Sequence, residues 1–594
     1  MDNSQAKISA LRDVMNDHGL DGYIVPKADE FQGEFVAPYA ERLQWLTEFT
    51  GSAGVAIVLQ DQACVMSDGR YTLQLGAQVD RDVFDVADSV KVGVHGWLNE
   101  HANKGIVVGY DPMLFTPEQI ARIEKQASDI VLKSVPGNLV DKIWYDQPEK
   151  PKGQVVVFEE HIAGTGVAEK KAAIAEKVRK HKAQACILTM PDSVSWLLNI
   201  RGSDINYIPS VLSYAVVYAE DDKPVTWITD QDKVSADVMS ALEGHVEISG
   251  WECFENFQSG TVMLDFSTAP VWFKRDLEKR QVEVKNVKDP CVKPKATKTL
   301  SEYEAIKKAH IADGVAVVKF LQWLDENAAD GEITELDAEA KLLECRQQHP
   351  AFKGQSFPTI AGYGANGAIV HYRSSAKTNI PLSGGSLFLV DSGGQYYDGQ
   401  DIAGTTDITR TMAIGQPSEE MIERNTLVLK GHIAVASALF PHGTTGAQVD
   451  TLARQPLWAE HLDFAHGTGH GVGCYLAVHE EAASISPRGK SAFEAGMLIS
   501  NEPGYYKNGE YGIRIENLIY VRETGQENST GTPMLDFETV SFAPIDRRLI
   551  DAKLLDVQEI KWLDTYHADV YEKLSPHLDE KERGWLQQQT KPIA

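Results

Sequence analysis

With 594 residues, 43% of them hydrophobic and 24% charged, the chain outgrows a single hydrophobic core and predicts about three to four globular folding units. Asp and Glu number 85 against 57 Lys and Arg, a net charge of -28, which repels phosphate backbones and anionic lipid and so argues against nucleic-acid and membrane partners. No apolar run reaches the length of a membrane span and MDNSQAKISALRDVMNDHGL has no secretory core, so a cytoplasmic location is expected.

Two segments in the N-terminal half repeat one another. Trp45-Leu46 precedes Gly51-Ser52 as Trp196-Leu197 precedes Gly202-Ser203, and each copy continues into two strand-like runs, VAIVL and ACVMS in the first, YAVVYA and TWIT in the second. Apolar runs joined by polar turns predict paired strands, and the repetition predicts two similar α/β domains. The polar, proline-bearing stretch from Tyr145 to Gln154 reads as a linker, which gives a first domain of 1–150. A second boundary falls in DPCVKPKATKTLSEYEAI, giving a second domain of 151–294. There Ser301-x-x-Glu304 has capping-box spacing and predicts the start of a long helix with Val317, Leu321 and Leu324 on its apolar face. Residues 295–594 alternate helical stretches with strands such as LFLVD, DITRTMAI and GIRIENLIYV, an α/β (α+β) pattern. From Leu549 onward the apolar spacing is helical, and packing on the parent domain is expected before a subunit contact. The cysteines Cys64, Cys186, Cys253, Cys291, Cys345 and Cys474 are widely spaced, which predicts buried thiols rather than a zinc or disulfide framework.

In the last region Asp391, Asp407, His470, Glu502 and Glu516 stand at the ends of short strands or within them. Singly, a strand-end Asp is an ordinary turn residue and a strand Glu faces solvent or an arginine. Together they call for a cation, because carboxylates are rarely buried without a partner. Four carboxylates and one imidazole form an oxygen-rich donor set suited first to Mn²⁺, then to Fe²⁺ or Co²⁺. Arg514 and Glu516 are two apart and share a strand face, with Ile513 and Ile515 opposite. A pair of divalent ions at such a place supports hydrolysis without a covalent intermediate. Histidines gather in the same region, His466 and His470 in AHGTGHGVG, His479 in VHEE and His371 in IVHYR, and so many near one site point to chemistry. The glycines of AHGTGHGVG predict backbone freedom and absence of bulk. A phosphate cradle is disfavoured, since Lys-Ser/Thr is missing and a histidine precedes the glycines where a strand should.

At AHGTGHGVG, NEPGYY and GIRIEN, joined by DSGGQYYDG, TTDITRT and GANGAIVHYRS, the chain resembles the pita-bread metallopeptidases. The resemblance is strongest to the three-domain, cytosolic-type Xaa-Pro aminopeptidases and runs over nearly the whole length. It implies two creatinase-like N-terminal domains followed by a pita-bread catalytic domain, a homodimer, and release of the N-terminal residue from peptides with proline second. It further implies Asp391, Asp407, His470, Glu502 and Glu516 as ligands of two divalent ions, with Asp407 and Glu516 bridging and Glu502 also the general base. His371, His466 and His479 would line the pocket, positioning substrate and stabilising the tetrahedral intermediate, and Arg514 would hold a ligating carboxylate.

One departure concerns Asp391 and Asp407, which are sixteen positions apart, five more than in the resembled family. A longer loop through YYDGQDIAG is expected to absorb the difference; the alternative is that Asp398 or Asp401 replaces Asp391. Two rival readings stand beside the aminopeptidase. A prolidase-type Xaa-Pro dipeptidase shares the ligand set but has one N-terminal domain where two are expected here. A catalytically dead binding protein on the same fold is disfavoured by the full ligand set.

Overall fold

The computed structural model describes residues 3–593 apart from Ala329, and the chain forms two compact units. One contains Met1–Val157, Gly166–Asn206 and Ser210–Cys291; the other contains Phe158–Thr165, Tyr207–Pro209 and Val292–Ala594.

In the first unit the sequence repeat is a repeat of topology. Strand Gly22–Pro26 pairs antiparallel with Val55–Leu59, which pairs antiparallel with Ala63–Ser67, while Val107–Tyr110 runs parallel to Gly22–Pro26 on its other side. The second sheet follows the same plan. Ala185–Leu188 pairs antiparallel with Tyr214–Tyr218, that strand antiparallel with Val225–Ile228, and Thr261–Leu264 runs parallel to Ala185–Leu188. A parallel strand at each edge completes both sheets to six. Alternation along a strand serves two cores: Tyr23 and Val25 pack with Ile8, Leu11 and Met15 of helix Ser4–Asp17, whereas Ile24 packs with Ile120 and Ile123 of helix Pro117–Gln126. Apolar residues on both faces are what a sheet covered on both sides requires. The repeated Trp-Leu pairs fall in helices Arg42–Thr47 and Pro191–Leu197, and all six cysteines are buried thiols outside any disulfide.

The second unit opens with helix Leu300–Asn327, which buries Val317, Leu321 and Leu324. Its capping box is Thr299 with Glu302, two residues upstream of the predicted Ser301 and Glu304. Both pairs have the right spacing; the upstream one prevails because the Thr299 hydroxyl is also tied to the Ala163 carbonyl at 3.0 Å and Glu302 is buried, whereas Glu304 is exposed. Strand Ser386–Ser392 lies between Ile360–Tyr363 and Ile408–Ile414, antiparallel to both. In a second, six-stranded sheet, Leu498–Asn501 lies between Gly469–Gly471 and Asn517–Glu527.

The run GIRIENLIYV is two strands, Tyr511–Arg514 and Asn517–Glu527, rather than the one predicted. It breaks at Ile515 and Glu516 because the chain leaves its pairing with Gly504–Lys507 to join Leu498–Asn501. The expected division of faces survives: Ile513 and Ile515 enter the apolar core, and Arg514 and Glu516 both meet the Thr409 hydroxyl. Helix Val557–Leu574 sets Leu563, Tyr566, Val570 and Leu574 into that same core, so this amphipathic segment packs on its own unit. Among the described residues no helix is long and apolar enough to cross a membrane.

Candidate metal centre

Strand ends converge on one place. Asp391 is paired across the ladder with Thr409, so Asp407 sits just outside the start of strand Ile408–Ile414. Asn501 is paired with Asn517, which leaves Glu502 and Glu516 one step beyond that ladder. The Glu516 amide donates to the Thr409 carbonyl at 3.2 Å, joining the two sheets, and the His470 amide donates to Ser500 Oγ at 3.0 Å.

His470 Nε2 lies 3.5 Å from Asp407 Oδ2 and 3.5 Å from Glu502 Oε1. One donor atom each of Asp407, His470 and Glu516 fall within 4.8 Å of one another. Burial, reinforced by the charges of Asp407, Asp391 and Glu502, drives Glu516 well above the usual carboxylate range. Burial, with Asp391 and Glu502 adding to it against the pull of His470, pushes Asp407 up to about 6. For His470 burial works downward, but Asp407 and Glu502 outweigh it and hold the ring up to about 9. Its Nδ1 donates to the Gly471 carbonyl at 2.9 Å. Nε2 is therefore the atom turned toward the carboxylates, placed to exchange its proton for a cation.

Asp391 Oδ2 accepts from Arg514 Nη2 at 2.6 Å, while its Oδ1 is buried without a hydrogen-bond partner among the described residues. An orphaned carboxylate oxygen beside three further carboxylates and an imidazole is the donor chemistry of an oxygen-preferring divalent cation, and the residues fit one. Arg514 also donates from Nη1 to Tyr506 Oη at 2.5 Å and from Nε to Thr409 Oγ1 at 3.2 Å. Thr409 Oγ1 in turn donates to Glu516 Oε2 at 2.6 Å.

Tyr506 Oη lies 2.9 Å from His466 Nε2, and His466 Nδ1 donates to the Gly467 carbonyl at 2.7 Å. Burial holds this ring down to about 4, so it is neutral and accepts at Nε2. Both ring nitrogens are engaged, and direct contact with substrate would require giving up one of these bonds. His479 is exposed and stands edge-on to His470, ring centroids 4.4 Å apart. His371 is half-buried in the turn after Gly364–Ala368, and its neighbours Ile369 and Tyr372 pack in one cluster with Tyr506. That loop is anchored by the fully buried Glu335, which accepts from the Tyr363 amide at 2.7 Å, Asn366 Nδ2 at 3.0 Å and Tyr372 Oη at 2.8 Å.

Asp398 and Asp401 lie elsewhere. They belong to the tip of the hairpin formed by Gly394–Tyr397 and Ala403–Thr405. The Asp398 Oδ1 caps the amides of Gln400, Asp401 and Ile402, and Asp401 pairs with Lys308. The longer spacing is thus absorbed by a surface loop, and Asp391 is the aspartate at the centre.

None of the four glycines in AHGTGHGVG adopts the left-handed backbone region, so the expectation of backbone freedom does not hold and closeness is what the motif supplies. A Cβ on Gly469 would lie 1.9 Å from the Ser500 carbonyl oxygen. Gly469→Ala is expected to push the strand of His470 away from that of Ser500, with about 1 to 3 kcal/mol of strain and roughly a tenfold loss of Mn²⁺ affinity. Calorimetric titration of chelator-stripped protein checks this; unchanged affinity would mean that the spacing of these strands does not set the site. Tyr506, Thr409 and Glu335 escaped the sequence reading. Tyr506 lies inside NEPGYY and Thr409 inside TTDITRT, but no periodicity distinguishes an uncharged hydroxyl as a structural relay.

Residues 304–523 match metallopeptidase family M24 and residues 533–593 the C-terminal region of peptidase M24. Residues 7–143 and 146–302 each match a creatinase/prolidase N-terminal domain. A probable Xaa-Pro aminopeptidase P of Paracoccidioides brasiliensis (strain Pb03) is 38% identical over 626 aligned positions, covering 100% of both chains. One of Laccaria bicolor is 37% identical, covering 100% of this chain and 94% of its own. Among solved structures, the X-prolyl aminopeptidase of Caenorhabditis elegans, described as a cytosolic enzyme with a di-nuclear active site, matches with a TM-score of 0.92 and 32% identity over 100% of both chains. Prolidase from Pyrococcus furiosus shares the fold at 23% identity and a TM-score of 0.50, covering 62% of this chain and 98% of its own. By full-length likeness at this identity, and by the acidic centre its strands converge to form, the chain belongs to metallopeptidase family M24.

Proposed function

We propose that the protein is an Xaa-Pro aminopeptidase, a hydrolase that releases the N-terminal residue from peptides with proline in second place. The observation that carries this is the convergence of Asp391, Asp407, His470, Glu502 and Glu516 in a chain that aligns end to end with proteins of that name. The prolidase alternative is less well supported, since the prolidase fold covers 62% of this chain. Three domains of 1–150, 151–294 and 295–594 fit the doubled sheet and the family matches.

In this reading Asp391, Asp407, His470, Glu502 and Glu516 would together hold two divalent ions, with Mn²⁺ preferred for the oxygen-rich donor set. Bound there, the ions would supply Lewis acidity toward water and the scissile carbonyl. Glu502, whose Oε1 accepts from Ser500 Oγ at 3.1 Å, takes the proton of the attacking water and delivers it to the leaving amine. His479, exposed beside His470, donates to the developing oxyanion, and His371 grips the substrate from its loop. His466 acts through Tyr506 on Arg514, which fixes the Asp391 carboxylate. A homodimer and a cytoplasmic location complete the proposal on the strength of the family likeness.

Chelator-stripped protein should release no N-terminal residue from an Xaa-Pro-Xaa tripeptide, and added Mn²⁺ should restore release while an Xaa-Pro dipeptide is cut poorly. Preference for the dipeptide would move the assignment to prolidase. Inactivity on both with metal bound would overturn the proline-peptidase reading.

A further inference from the structure

Arg410 is 2% exposed, and all six of its hydrogen bonds end on neutral oxygens. From Nη1 it donates to the carbonyls of Thr409 at 2.8 Å and Glu516 at 2.6 Å. From Nη2 it donates to Asn517 Oδ1 at 2.8 Å, the Ala543 carbonyl at 2.8 Å and Tyr566 Oη at 2.7 Å, and from Nε to the Pro544 carbonyl at 3.2 Å. A buried guanidinium with no carboxylate on it is unfavourable for stability alone. Its placement offers the compensating reason: it grips the main chain at Glu516 itself and at Thr409, whose hydroxyl holds Glu516 Oε2.

The far end of this grip is helix Val557–Leu574. Tyr566 Oη takes the Arg410 hydrogen bond and lies within hydrogen-bonding distance of the Ser541 and Ala543 carbonyls, at 3.2 and 3.0 Å. The network also runs sideways. Asn517 Nδ2 lies 3.2 Å from His432 Nε2, His432 Nδ1 donates to the Asn501 carbonyl at 3.1 Å, and Asn501 Nδ2 donates to the His432 carbonyl at 2.9 Å. Asn501 immediately precedes Glu502 and Asn517 immediately follows Glu516. The carboxylates therefore stand on a buried floor of polar groups, each neutral except Arg410.

We propose that Arg410 and Tyr566 are positioning residues of the metal centre, through which helix Val557–Leu574 sets the spacing of Asp407 and Glu516. This rests on the reading of those two residues as metal ligands. The variant to make is Tyr566→Phe, which removes one hydroxyl and keeps the ring stacked on Trp562, centroids 5.3 Å apart. Mn²⁺ affinity of the chelator-stripped protein is measured by calorimetry well below its melting temperature, and kcat and KM are measured on a tripeptide. The expected result is a loss of affinity of about 10-fold or more, a lower kcat recovered by excess Mn²⁺, and an unchanged KM. Arg410→Lys, which keeps the charge but cannot span the same carbonyls, should lose more. A purely structural role would lower the melting temperature and leave affinity alone, so Tyr566→Phe binding Mn²⁺ within about twofold of the unaltered protein overturns the inference. Failure of the unaltered protein to bind Mn²⁺ overturns the ligand reading, and the inference with it.

Discussion

Glu516→Gln should leave the chelator-stripped protein at least as heat-resistant as the unaltered chain, while removing the gain that Mn²⁺ brings and cutting tripeptide cleavage about a thousandfold or more. Glu516 is 1% exposed, and burial together with Asp407, Asp391 and Glu502 disfavours its charge. Among the described residues Thr409 is its one hydrogen-bond donor from a side chain, and an amide oxygen can accept that bond equally well. Replacing a buried, repelled carboxylate by its neutral isostere therefore relieves the metal-free fold. Metal binding suffers in proportion. A ligand at 100 times its Kd stabilises the native state by about 2.7 kcal/mol, and losing Lewis-acid stabilisation of the transition state is worth several kcal/mol, about tenfold in rate for each 1.4.

Asp391→Ala should behave oppositely in the stripped protein although it too removes a proposed ligand. Arg514 is 2% exposed and bonded to Asp391 Oδ2. Truncating Asp391 leaves a buried guanidinium short of its counter-charge, a loss of about 3 to 5 kcal/mol. Thermal melting of the two stripped variants side by side decides the matter. If Glu516→Gln melts as low as Asp391→Ala, charge repulsion is not what the empty centre holds.

These contrasts trace what the sequence could disclose. Asp391 after LFLV and Glu516 between two apolar runs are conspicuous because a carboxylate in an apolar setting needs explaining, and the paired Trp-Leu motifs announce two domains because a fold repeated in one chain keeps its turn and strand spacing. The carboxylates' environment was legible only as a demand for a cation. What meets that demand from the protein side comes from far along the chain: Arg410 reaches Tyr566, His432 reaches Asn501 and Asn517, and Glu335 reaches Tyr372. Such contacts depend on which strands become neighbours, and neither periodicity nor spacing carries that information. The helix cap shows the same limit at short range, since Thr299 and Ser301 offer equal spacing and only the Ala163 carbonyl, from a distant segment, selects the first.

Between pH 6.5 and pH 5 the Mn²⁺-loaded protein is expected to lose about 3 kcal/mol of folding stability through two buried histidines outside the proposed ligand set. His432 and His567 are fully buried, and burial first, then the positive charge of Arg410, brings each from 6.5 down to about 3. The geometry agrees. Asn517 Nδ2 faces His432 Nε2 at 3.2 Å and the Ile545 amide donates to His567 Nε2 at 3.2 Å, so a proton on either nitrogen would confront another donor. Both rings stay neutral while folded and take up a proton near 6.5 once unfolded. Their contribution is therefore complete about a unit above pH 6.5 and drains as the pH falls toward 3, reaching about 1.4 kcal/mol per pH unit for each ring below about pH 5.5. In the stripped protein Asp407, raised to about 6, works the other way: it gains a proton more readily folded than unfolded and offsets part of the loss. Bound Mn²⁺ keeps the carboxylates ionised and removes that offset, so the loaded protein should show the steeper decline. Urea unfolding of both forms at pH 6.5 and 5 tests the slopes, and an imidazole of His432 or His567 titrating near 6.5 in the folded protein would dispose of the argument. Because His432 bonds to the residues beside Glu502 and Glu516, the same acidification should loosen the polar floor beneath the carboxylates before the unit unfolds.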